Sequence, residues 1–358
     1  MAQNKKAIHT ALLARFSALG DVAMTVPVIY SACRCHPDVR FVMVTRPSMT
    51  SIFVDAPENL VLEGIDVKNE YAGVGGIRRL AAYITGKYSP DVFIDLHNVL
   101  RTRILAVFLR LSGIKAVHIF KPRAKRRALT RRHSKVMLPL ISQRARYREA
   151  FFKAGLPATE HFDGLFDGHG SAPDCLYEAI SLPKPEGEKW IGFAPFAAHK
   201  GKIYPPDQME KVVARFQKDA DAGERLRLFL FGGGAAEQEI LDRWASEYDA
   251  ATSLAGKKYG FKAELALINH LDVMVSMDSA NMHLSAIAGT PTVSVWGATH
   301  HYCGFKGWHQ QEADMVQVPV ACRPCSVFGD KPCYRGDYIC LSAIKPDLIY
   351  NKMRERLS

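Results

Sequence analysis

The stretch that decides the fold is Val275–Gly297, which reads VSMDSANMHLSAIAGTPTVSVWG. Its apolar start predicts the end of a buried strand, and helical spacing predicts a helix over 281–288 that Gly289 closes. A second strand is predicted at 292–296. A polar helix N-terminus that follows a parallel strand is where open α/β sheets bind phosphate, because free N–H groups and the helix dipole point there. The pattern fits a phosphate site and an ordinary capped βαβ turn equally well.

Strands and helices alternate on both sides of this stretch. Their order predicts an α/β protein with two Rossmann-like doubly wound domains and a cleft between them. One helix, at 21–33, contains Pro27, so we expect a kink or a break there. The other predicted strands lie at 7–16, 40–44, 60–65, 92–96, 117–120, 190–194 and 227–231.

The domain boundaries follow from length and composition. A chain of 358 residues is long enough for two domains. Gly, Ser, Asp and Pro accumulate and periodicity fades between about 164 and 188, which is typical of a linker. We therefore predict an N-terminal domain at 1–165, a linker at 166–188, a C-terminal domain at 189–345 and a terminal helix at 346–358.

Composition is that of a soluble globular protein, with 48% hydrophobic and 23% charged residues. No apolar run approaches the roughly 20 residues that a membrane-spanning helix needs. Residues 5–16 resemble a signal peptide superficially, but Arg15 interrupts the apolar run and Asp21 follows closely. We interpret this segment as the first strand and predict a cytoplasmic protein.

The positive charge is concentrated in one segment. The net charge is +11, and residues 121–148 contain 11 Lys/Arg and no acid, so the remaining 36 Lys/Arg and 36 Asp/Glu cancel. Such a segment favours an anionic partner: nucleic acid, an acidic membrane surface or a phosphorylated acceptor. A solvated basic face is the alternative. Aromatic residues for base stacking are few there, so we expect no nucleic-acid binding.

Four strand-to-helix junctions can carry chemistry. In the first, Gly20 permits a tight backbone path, and Asp21 fits an N-cap or a general base. In the second, Lys202 follows a strand, where it either binds a pyrophosphate or faces solvent. The third contains three consecutive glycines and Glu237, a candidate for ribose hydroxyls or a solvated acid. It lacks the full G-x-G-x-x-G pattern, so a nicotinamide enzyme is disfavoured. The fourth is the opening stretch, in which His283 fits a structural hydrogen-bonding role.

Taken together, these junctions resemble one family. Ser17-x-x-Gly20-Asp21-x5-Pro27, Lys202-x-x-Pro205 and Asp278-Ser279-x3-His283-Leu284 occur in the order and spacing of the ADP-heptose:lipopolysaccharide heptosyltransferases, glycosyltransferase family 9. The resemblance covers essentially the whole chain. It implies a GT-B fold with the sugar nucleotide mainly on the C-terminal domain and the acceptor mainly on the N-terminal one. It also implies inversion of the anomeric configuration without a metal ion or other cofactor.

The resemblance assigns roles to individual residues. Asp21 matches the base that deprotonates the acceptor, and Lys202 matches the lysine that holds the donor phosphates. The chain departs from the family where Ala197 and Ala198 replace hydroxyl residues that often touch the phosphates. The full donor-binding set is Lys202, Asp278, Ser279, Ala280, Asn281, His283, Gly233 and Glu237. The acceptor-binding set is Ser17, Gly20, His97, Arg101, Arg126 and Arg127.

These assignments predict transfer of a heptose from ADP-heptose to a lipopolysaccharide core acceptor built on lipid A. The enzyme would be cytoplasmic, with peripheral contact between its basic segment and the anionic inner face of the inner membrane. A related transferase that uses another nucleotide sugar for a surface glycan is the first alternative. A nucleic-acid-binding protein that uses residues 121–148 is an alternative from another class.

Four of the eight cysteines fall within 19 residues: Cys322, Cys325, Cys333 and Cys340. In a cytosolic chain such a cluster favours a metal over disulfides, and four thiolates suit a structural zinc ion. The spacing is not that of a standard zinc ribbon, so reduced thiols without metal are the competing interpretation.

Overall fold

Residues 7–357 are described by the structure, a computed structural model. In chain order the strands are β1 (Thr10–Ala14), β2 (Arg40–Thr45), β3 (Leu60–Gly64), β4 (Val92–Asp95), β5 (Lys115–His118), β6 (Lys189–Ala194), β7 (Leu226–Leu230), β8 (Ala251–Ser253), β9 (Val273–Met277), β10 (Thr292–Val295) and β11 (Met315–Val316). The helices are α1 (Leu19–Ala23), α2 (Val26–Cys35), α3 (Gly73–Tyr88), α4 (Leu100–Leu111), α5 (Arg123–Thr130), α6 (Gln143–Ala154), α7 (Pro206–Asp221), α8 (Ala235–Glu247), α9 (Phe261–Asn269), α10 (Ala280–Ala288), α11 (Ile339–Ser342) and α12 (Pro346–Leu357).

The chain divides into two units. The first unit comprises residues up to 121 together with 141–165, and the second comprises 122–140 together with the residues from 166 onward. The predicted boundary after residue 165 coincides with this division. The predicted 1–165 domain differs from it at 122–140, a segment that we call the basic strap.

The sheet of the first unit has the order β3-β2-β1-β4-β5, and its strands are parallel. Residues 11–14 of β1 are fully buried, as expected for the central strand of a sheet covered by helices on both faces. The strand order reverses between β1 and β4. The loops that follow these two strands therefore border the crevice where such sheets bind ligands.

The sheet of the second unit has the order β11-β10-β9-β6-β7-β8, again with parallel strands. Here the order reverses between β6 and β9, so the loops after these two strands border the equivalent crevice. The terminal helix α12 is part of this unit. It packs on α7, where the rings of Tyr350 and Phe216 lie 4.8 Å apart.

The basic strap groups with the second unit because of specific contacts. The Lys135 ammonium donates to the carbonyls of Cys322 and Pro324, the latter at 2.8 Å. The amide of Leu140 donates to the carbonyl of Tyr302 at 2.8 Å. The local sequence of the strap gives no indication of these partners, which lie more than 150 residues away.

The predicted elements are largely confirmed. The break at Pro27 is present, since α1 ends at Ala23 and α2 begins at Val26 with the proline in its first turn. Sequence reasoning missed the helices α5, α6 and α11 and the short strands β8 and β11. Helix α6 is rich in Arg and buries few aliphatic side chains, so it lacks the apolar periodicity that identifies helices. None of the helices in residues 7–357 is long and apolar enough to cross a membrane.

Candidate active site

In the first unit, the candidate catalytic residue is Asp21, in α1 directly after β1. One oxygen of its carboxylate, Oδ2, lies 2.6 Å from a guanidinium nitrogen of Arg15. The Arg15 side chain is 7% exposed and that of Asp21 is 23% exposed. Arg15 also donates to the carbonyl of Leu96, after β4, at 2.7 Å. The second carboxylate oxygen, Oδ1, has no hydrogen-bond partner among residues 7–357. Asp21 is therefore an anchored carboxylate with one oxygen available.

A tyrosine from α6 supports this pair. The Tyr147 hydroxyl donates to the backbone carbonyl of Asp21 at 3.2 Å, and the Arg15 guanidinium lies 5.9 Å from the centre of its ring. Burial raises the pKa of Tyr147 above its ordinary range, so the hydroxyl remains a hydrogen-bond donor at neutral pH.

His97 lies at the end of the neighbouring strand β4. Its Nδ1 is 3.5 Å from the amide of Phe16, and its Nε2 is 3.4 Å from the Ser17 hydroxyl. Burial, and secondarily the charge of Arg15, lower the pKa of His97 to about 4, so the imidazole is neutral at physiological pH. The structure thus brings together four predicted residues: Ser17, Gly20, Asp21 and His97. Arg101 lies in the first turn of α4, which follows the same strand as His97.

In the second unit, Lys202 and Asp278 meet where the sheet reverses. The Lys202 ammonium lies 2.9 Å from Asp278 Oδ2; their side chains are 16% and 4% exposed. The Thr299 hydroxyl donates to the same oxygen at 2.7 Å, and the Asp278 amide donates to the carbonyl of Val295 at 3.1 Å. Two members of the predicted donor-binding set, Lys202 and Asp278, are therefore in direct contact.

The helix α10 begins directly after β9, at the carboxyl edge of the sheet. Ser279, not Asp278, occupies the N-cap position of α10, and its side chain makes no capping bond. The Ser279 hydroxyl instead lies 3.3 Å from that of Ser276. Ala280 and Asn281 form the first turn, so their amides point out of the helix with the positive end of its dipole. Asp278 does not cap the helix, because its carboxylate is engaged by Lys202 and Thr299.

Close backbone approaches fix the position of Lys202. The amide of Ala298 donates to the carbonyl of Gly201 at 2.8 Å. A side chain at Gly297 would come within 2.5 Å of that carbonyl, and a side chain at Gly329 would come within 2.6 Å of the Lys202 stem. Glycine is therefore required at both positions, and the lysine is confined between loops.

The other predicted donor residues have more local roles in the structure. Glu237 accepts a hydrogen bond from the amide of Gly233 at 2.7 Å, so it stabilises its own glycine loop. His283 is 5% exposed within α10, which agrees with a structural role.

The predicted acceptor residues Arg126 and Arg127 lie on α5 in the basic strap, and therefore in the second unit. The Arg126 guanidinium lies 5.6 Å from the ring centre of Phe305 and 5.4 Å from that of Phe328. Arg127 is exposed. These two arginines therefore belong to a different unit from Ser17, Gly20 and His97.

The cysteine cluster consists of free thiols. Burial raises the pKa of Cys340 to about 11 and also raises that of Cys325, so both favour the neutral thiol. Within residues 7–357 no three His, Cys, Asp or Glu side chains are placed to hold one metal ion. The thiols as placed do not fit the zinc site, which stays a prediction for metal analysis to test.

Sequence reasoning missed three residues that organise the site. Arg15 was taken only as an interruption of an apolar run, and Thr299 was not considered although it follows β10 at the same sheet edge. Arg323, 5% exposed, donates to the carbonyls of Gly297 at 2.5 Å and Thr299 at 3.0 Å. Position after a strand could have identified Thr299. Nothing local could have identified Arg323.

The chain is similar to known proteins in both sequence and fold. A sequence model of glycosyltransferase family 9 (heptosyltransferase) matches residues 78–331. The chain is 23% identical over 351 residues to lipooligosaccharide heptosyltransferase 2 of Campylobacter jejuni subsp. jejuni (serotype O:2), and the alignment covers 95% of each chain.

Solved structures show the same fold. E. coli ADP-heptose lps heptosyltransferase II superposes with a TM-score of 0.70 at 16% identity, covering 97% of this chain and 98% of that one. E. coli heptosyltransferase WaaC with ADP-2-deoxy-2-fluoro heptose superposes with a TM-score of 0.65 at 16% identity, covering 98% and 100%. These likenesses confirm the predicted GT-B fold class. Since the family match spans well over half of the sequence, the chain belongs to glycosyltransferase family 9, the heptosyltransferases, and is a glycosyltransferase.

Proposed function

We propose that this enzyme transfers a heptose from ADP-heptose to a lipopolysaccharide core acceptor, with inversion and without a metal ion. The observation that carries the proposal is the pair of sheet edges: an anchored carboxylate after β1 and an anchored lysine after β6. The names of the relatives support the substrates. One is a lipooligosaccharide heptosyltransferase, and WaaC is described with an ADP-heptose analogue.

In the proposed reaction, Asp21 removes the proton from an acceptor hydroxyl. The hydroxyl oxygen forms a bond to the anomeric carbon of the donor as the bond from that carbon to the diphosphate oxygen breaks, and ADP leaves on the opposite face. Asp21 Oδ1 takes the proton, while Arg15 holds Oδ2 and keeps the carboxylate oriented. Neutral His97 and the Ser17 hydroxyl supply hydrogen bonds to the acceptor beside this base.

On the donor side, positive potential stabilises the leaving diphosphate. Lys202 supplies a fixed cation, and the first-turn amides of α10 supply the positive end of a helix dipole. Asp278, itself fixed by the Thr299 hydroxyl, holds the lysine in place. These groups provide the stabilisation for which many transferases use a divalent cation, so the proposal requires none.

The donor sugar is the part of the proposal with a specific alternative. Ala197 and Ala198 precede Lys202 where the family often has hydroxyl residues. A change in these phosphate contacts fits a transferase that uses another nucleotide sugar for a surface glycan. The donor therefore needs a direct measurement.

A single set of assays tests donor, acceptor and metal together. The protein is screened by thermal shift against ADP-heptose, ADP-glucose and UDP-sugars, and then assayed for transfer to a lipopolysaccharide core acceptor in excess EDTA. We expect ADP-heptose to raise the melting temperature and to be transferred with inversion, because a ligand that binds only the folded state stabilises it. Transfer from a UDP-sugar alone would replace the donor, and loss of activity in EDTA would contradict metal independence.

Metal analysis on protein purified without chelator tests the cysteine cluster separately. A structural zinc ion should stay bound, so less than about 0.1 equivalent contradicts the zinc prediction.

The basic strap suits contact with the membrane that carries a lipid-linked acceptor. Arg123, Lys125 and Arg131 are exposed, and no carboxylate pairs with them among residues 7–357. Three consecutive apolar side chains of the strap are also exposed: Val136 (41%), Met137 (42%) and Leu138 (65%). Cations beside apolar side chains are typical of peripheral contact with anionic lipid. Binding to anionic vesicles tests this contact. We expect Leu138→Ser to weaken binding and Leu182→Ser, at a control position that is 80% exposed, to leave it unchanged.

A further inference from the structure

The side chain of Arg126 is held by two aromatic rings of the second unit, whereas the other basic side chains of α5 are exposed. Its guanidinium lies against two rings from separate loops, Phe305 and Phe328, at 5.6 and 5.4 Å. Arg123 and Lys125, on the same helix, are exposed. An arginine positioned by two aromatic faces keeps its N–H groups oriented, so it is preorganised to bind an anion.

The loop that holds Arg126 also holds Lys202. Phe328 stacks with the arginine, and the next residue, Gly329, packs so closely on Lys202 that a side chain there would meet the lysine stem at 2.6 Å. The Ser326 hydroxyl accepts hydrogen bonds from the amides of Phe328 at 3.2 Å and Gly329 at 2.9 Å, which fixes the loop. Two consecutive residues of one ordered loop therefore position the two cations.

The charges of Arg126, Lys202 and Asp278 all influence the pKa of one buried thiol, that of Cys303. Burial is the main cause that raises the pKa of Cys303 to about 11, and the negative charge of Asp278 contributes in the same direction. The charges of Arg126 and Lys202 act on the same thiol and lower its pKa. This agrees with the shared Phe328–Gly329 loop, which packs on both cations.

The positive charge at the edge of the sheet beside Lys202 is too small to balance a bound diphosphate without a second cation. Lys202 is paired with Asp278, so together they contribute little net charge. The N-terminus of α10 contributes roughly half a positive charge. A nucleoside diphosphate carries more negative charge than these groups offset, and Ala197 and Ala198 provide no hydroxyl donors. A guanidinium, which binds phosphate oxygens in a bidentate manner, fits this deficit.

We infer that Arg126 is a second phosphate-binding cation of the donor site, directed at the β-phosphate of the nucleotide. This inference rests on the proposed function, since it takes a nucleotide sugar as the donor. It gives Arg126 a role different from the acceptor contact that the sequence predicted, and it makes the basic strap part of donor binding.

Calorimetric titration with ADP and AMP tests the inference on the full-length protein. The variants are Arg126→Gln, Arg126→Lys and, as a matched control on the same helix, Arg123→Gln. We expect Arg126→Gln to weaken ADP binding by about 10- to 100-fold, the range for a lost charge-assisted contact. AMP lacks the β-phosphate, so its affinity should stay within twofold of wild type. Arg126→Lys should fall between, and Arg123→Gln should match wild type.

Three outcomes overturn the inference, and one further outcome moves the test to another nucleotide. Unchanged ADP affinity in Arg126→Gln with a raised KM for the acceptor assigns the arginine to the acceptor. Equal losses of ADP and AMP affinity with a lowered melting temperature assign it a structural role. If wild type binds neither ADP nor AMP, the proposal of ADP-heptose as donor is wrong. The same comparison with UDP and UMP then tests the role of Arg126 independently. A protein that binds none of these nucleotides contradicts both.

Discussion

In the first unit, the buried member of the Arg15–Asp21 pair is the arginine, whereas in the second unit the buried member of the Lys202–Asp278 pair is the aspartate. The side chains of Arg15 and Asp21 are 7% and 23% exposed, and those of Lys202 and Asp278 are 16% and 4% exposed. Both pairs lie where a doubly wound sheet reverses its strand order. The more exposed member differs, and it decides the chemistry: a carboxylate can accept a proton, and an ammonium can bind phosphate.

The buried member of each pair is fixed by further hydrogen bonds. Arg15 donates to the Leu96 carbonyl, and Asp278 accepts from the Thr299 hydroxyl. A buried charge needs such partners, because an ion removed from water without them is costly. Each unit therefore contains a rigid counterion and an accessible functional group. We expect mutations of the exposed members to affect function most, and mutations of the buried members to affect stability most.

The largest effect is expected for Asp21→Asn. The amide preserves the shape of the side chain but cannot accept the acceptor proton, so kcat should fall by about 1000-fold or more. The affinity for ADP should stay within twofold of wild type, because Asp21 belongs to the first unit and the donor residues to the second. Steady-state transfer assays and calorimetry measure the two quantities. Asp38→Asn, at an exposed position of the same unit, is the matched control. Lost ADP affinity in Asp21→Asn would contradict the division of roles.

The next effect concerns stability and reverses the order of the two aspartates. Asp278→Ala leaves Lys202 and Thr299 without their shared partner in a largely buried place, and should lower the free energy of unfolding by about 3 kcal/mol. Asp21→Ala should cost about 1 kcal/mol, since its carboxylate is more exposed and Arg15 keeps the Leu96 carbonyl. Urea unfolding of both variants gives the comparison. Equal losses would show that burial does not distinguish the two pairs.

Lys202→Gln should weaken ADP binding by about 10- to 100-fold, because it removes the fixed cation but keeps part of the aliphatic stem and a neutral polar end. The KM for the acceptor should change little. Lys200→Gln, in the same loop, is the control: its ammonium lies 5.3 Å from the Tyr338 ring instead of near Asp278. If both lysine variants bind ADP equally well, the phosphate role of Lys202 is wrong.

Much of the fold and three of the four residues of the two pairs could be predicted from the sequence. Apolar runs identify parallel strands, and polar residues directly after them mark the ligand-binding edge, so Asp21, Lys202 and Asp278 were found by position. These signals are local, as is the helix break at Pro27.

The contacts of Arg15 and Thr299 with these residues could not be predicted, because they depend on how distant parts of the chain align, although the position of Thr299 after a strand marks it as a residue of the sheet edge. Arg15 reaches the end of β4 through the alignment of β1 with β4, and Thr299 meets Asp278 across two neighbouring strands. The basic strap is the clearest case. Its composition indicated an anionic partner, but its attachment to the second unit depends on the carbonyls of Cys322 and Tyr302.

The smallest expected effect comes from Glu264, which tests whether partners rather than burial keep a carboxylate charged in the second unit. Asp278 has Lys202 and Thr299, whereas no cation pairs with Glu264 among residues 7–357. Burial raises the pKa of Glu264 from its ordinary value of 4.5 to about 7. The folded protein therefore binds this proton more tightly than the unfolded chain does, so the stability that it contributes is complete below pH 4.5 and is lost as the pH rises through 7.

The free energy of unfolding of Glu264→Gln should match that of wild type near pH 4.5 and exceed it by about 1–2 kcal/mol at pH 8. Urea unfolding at the two pH values measures the difference, with Glu178→Gln at an exposed position as the control. If Glu264→Gln is no more stable than wild type at pH 8, Glu264 ionises in the folded protein without a cost in stability. A carboxylate in this unit would then not need the partners that Asp278 has.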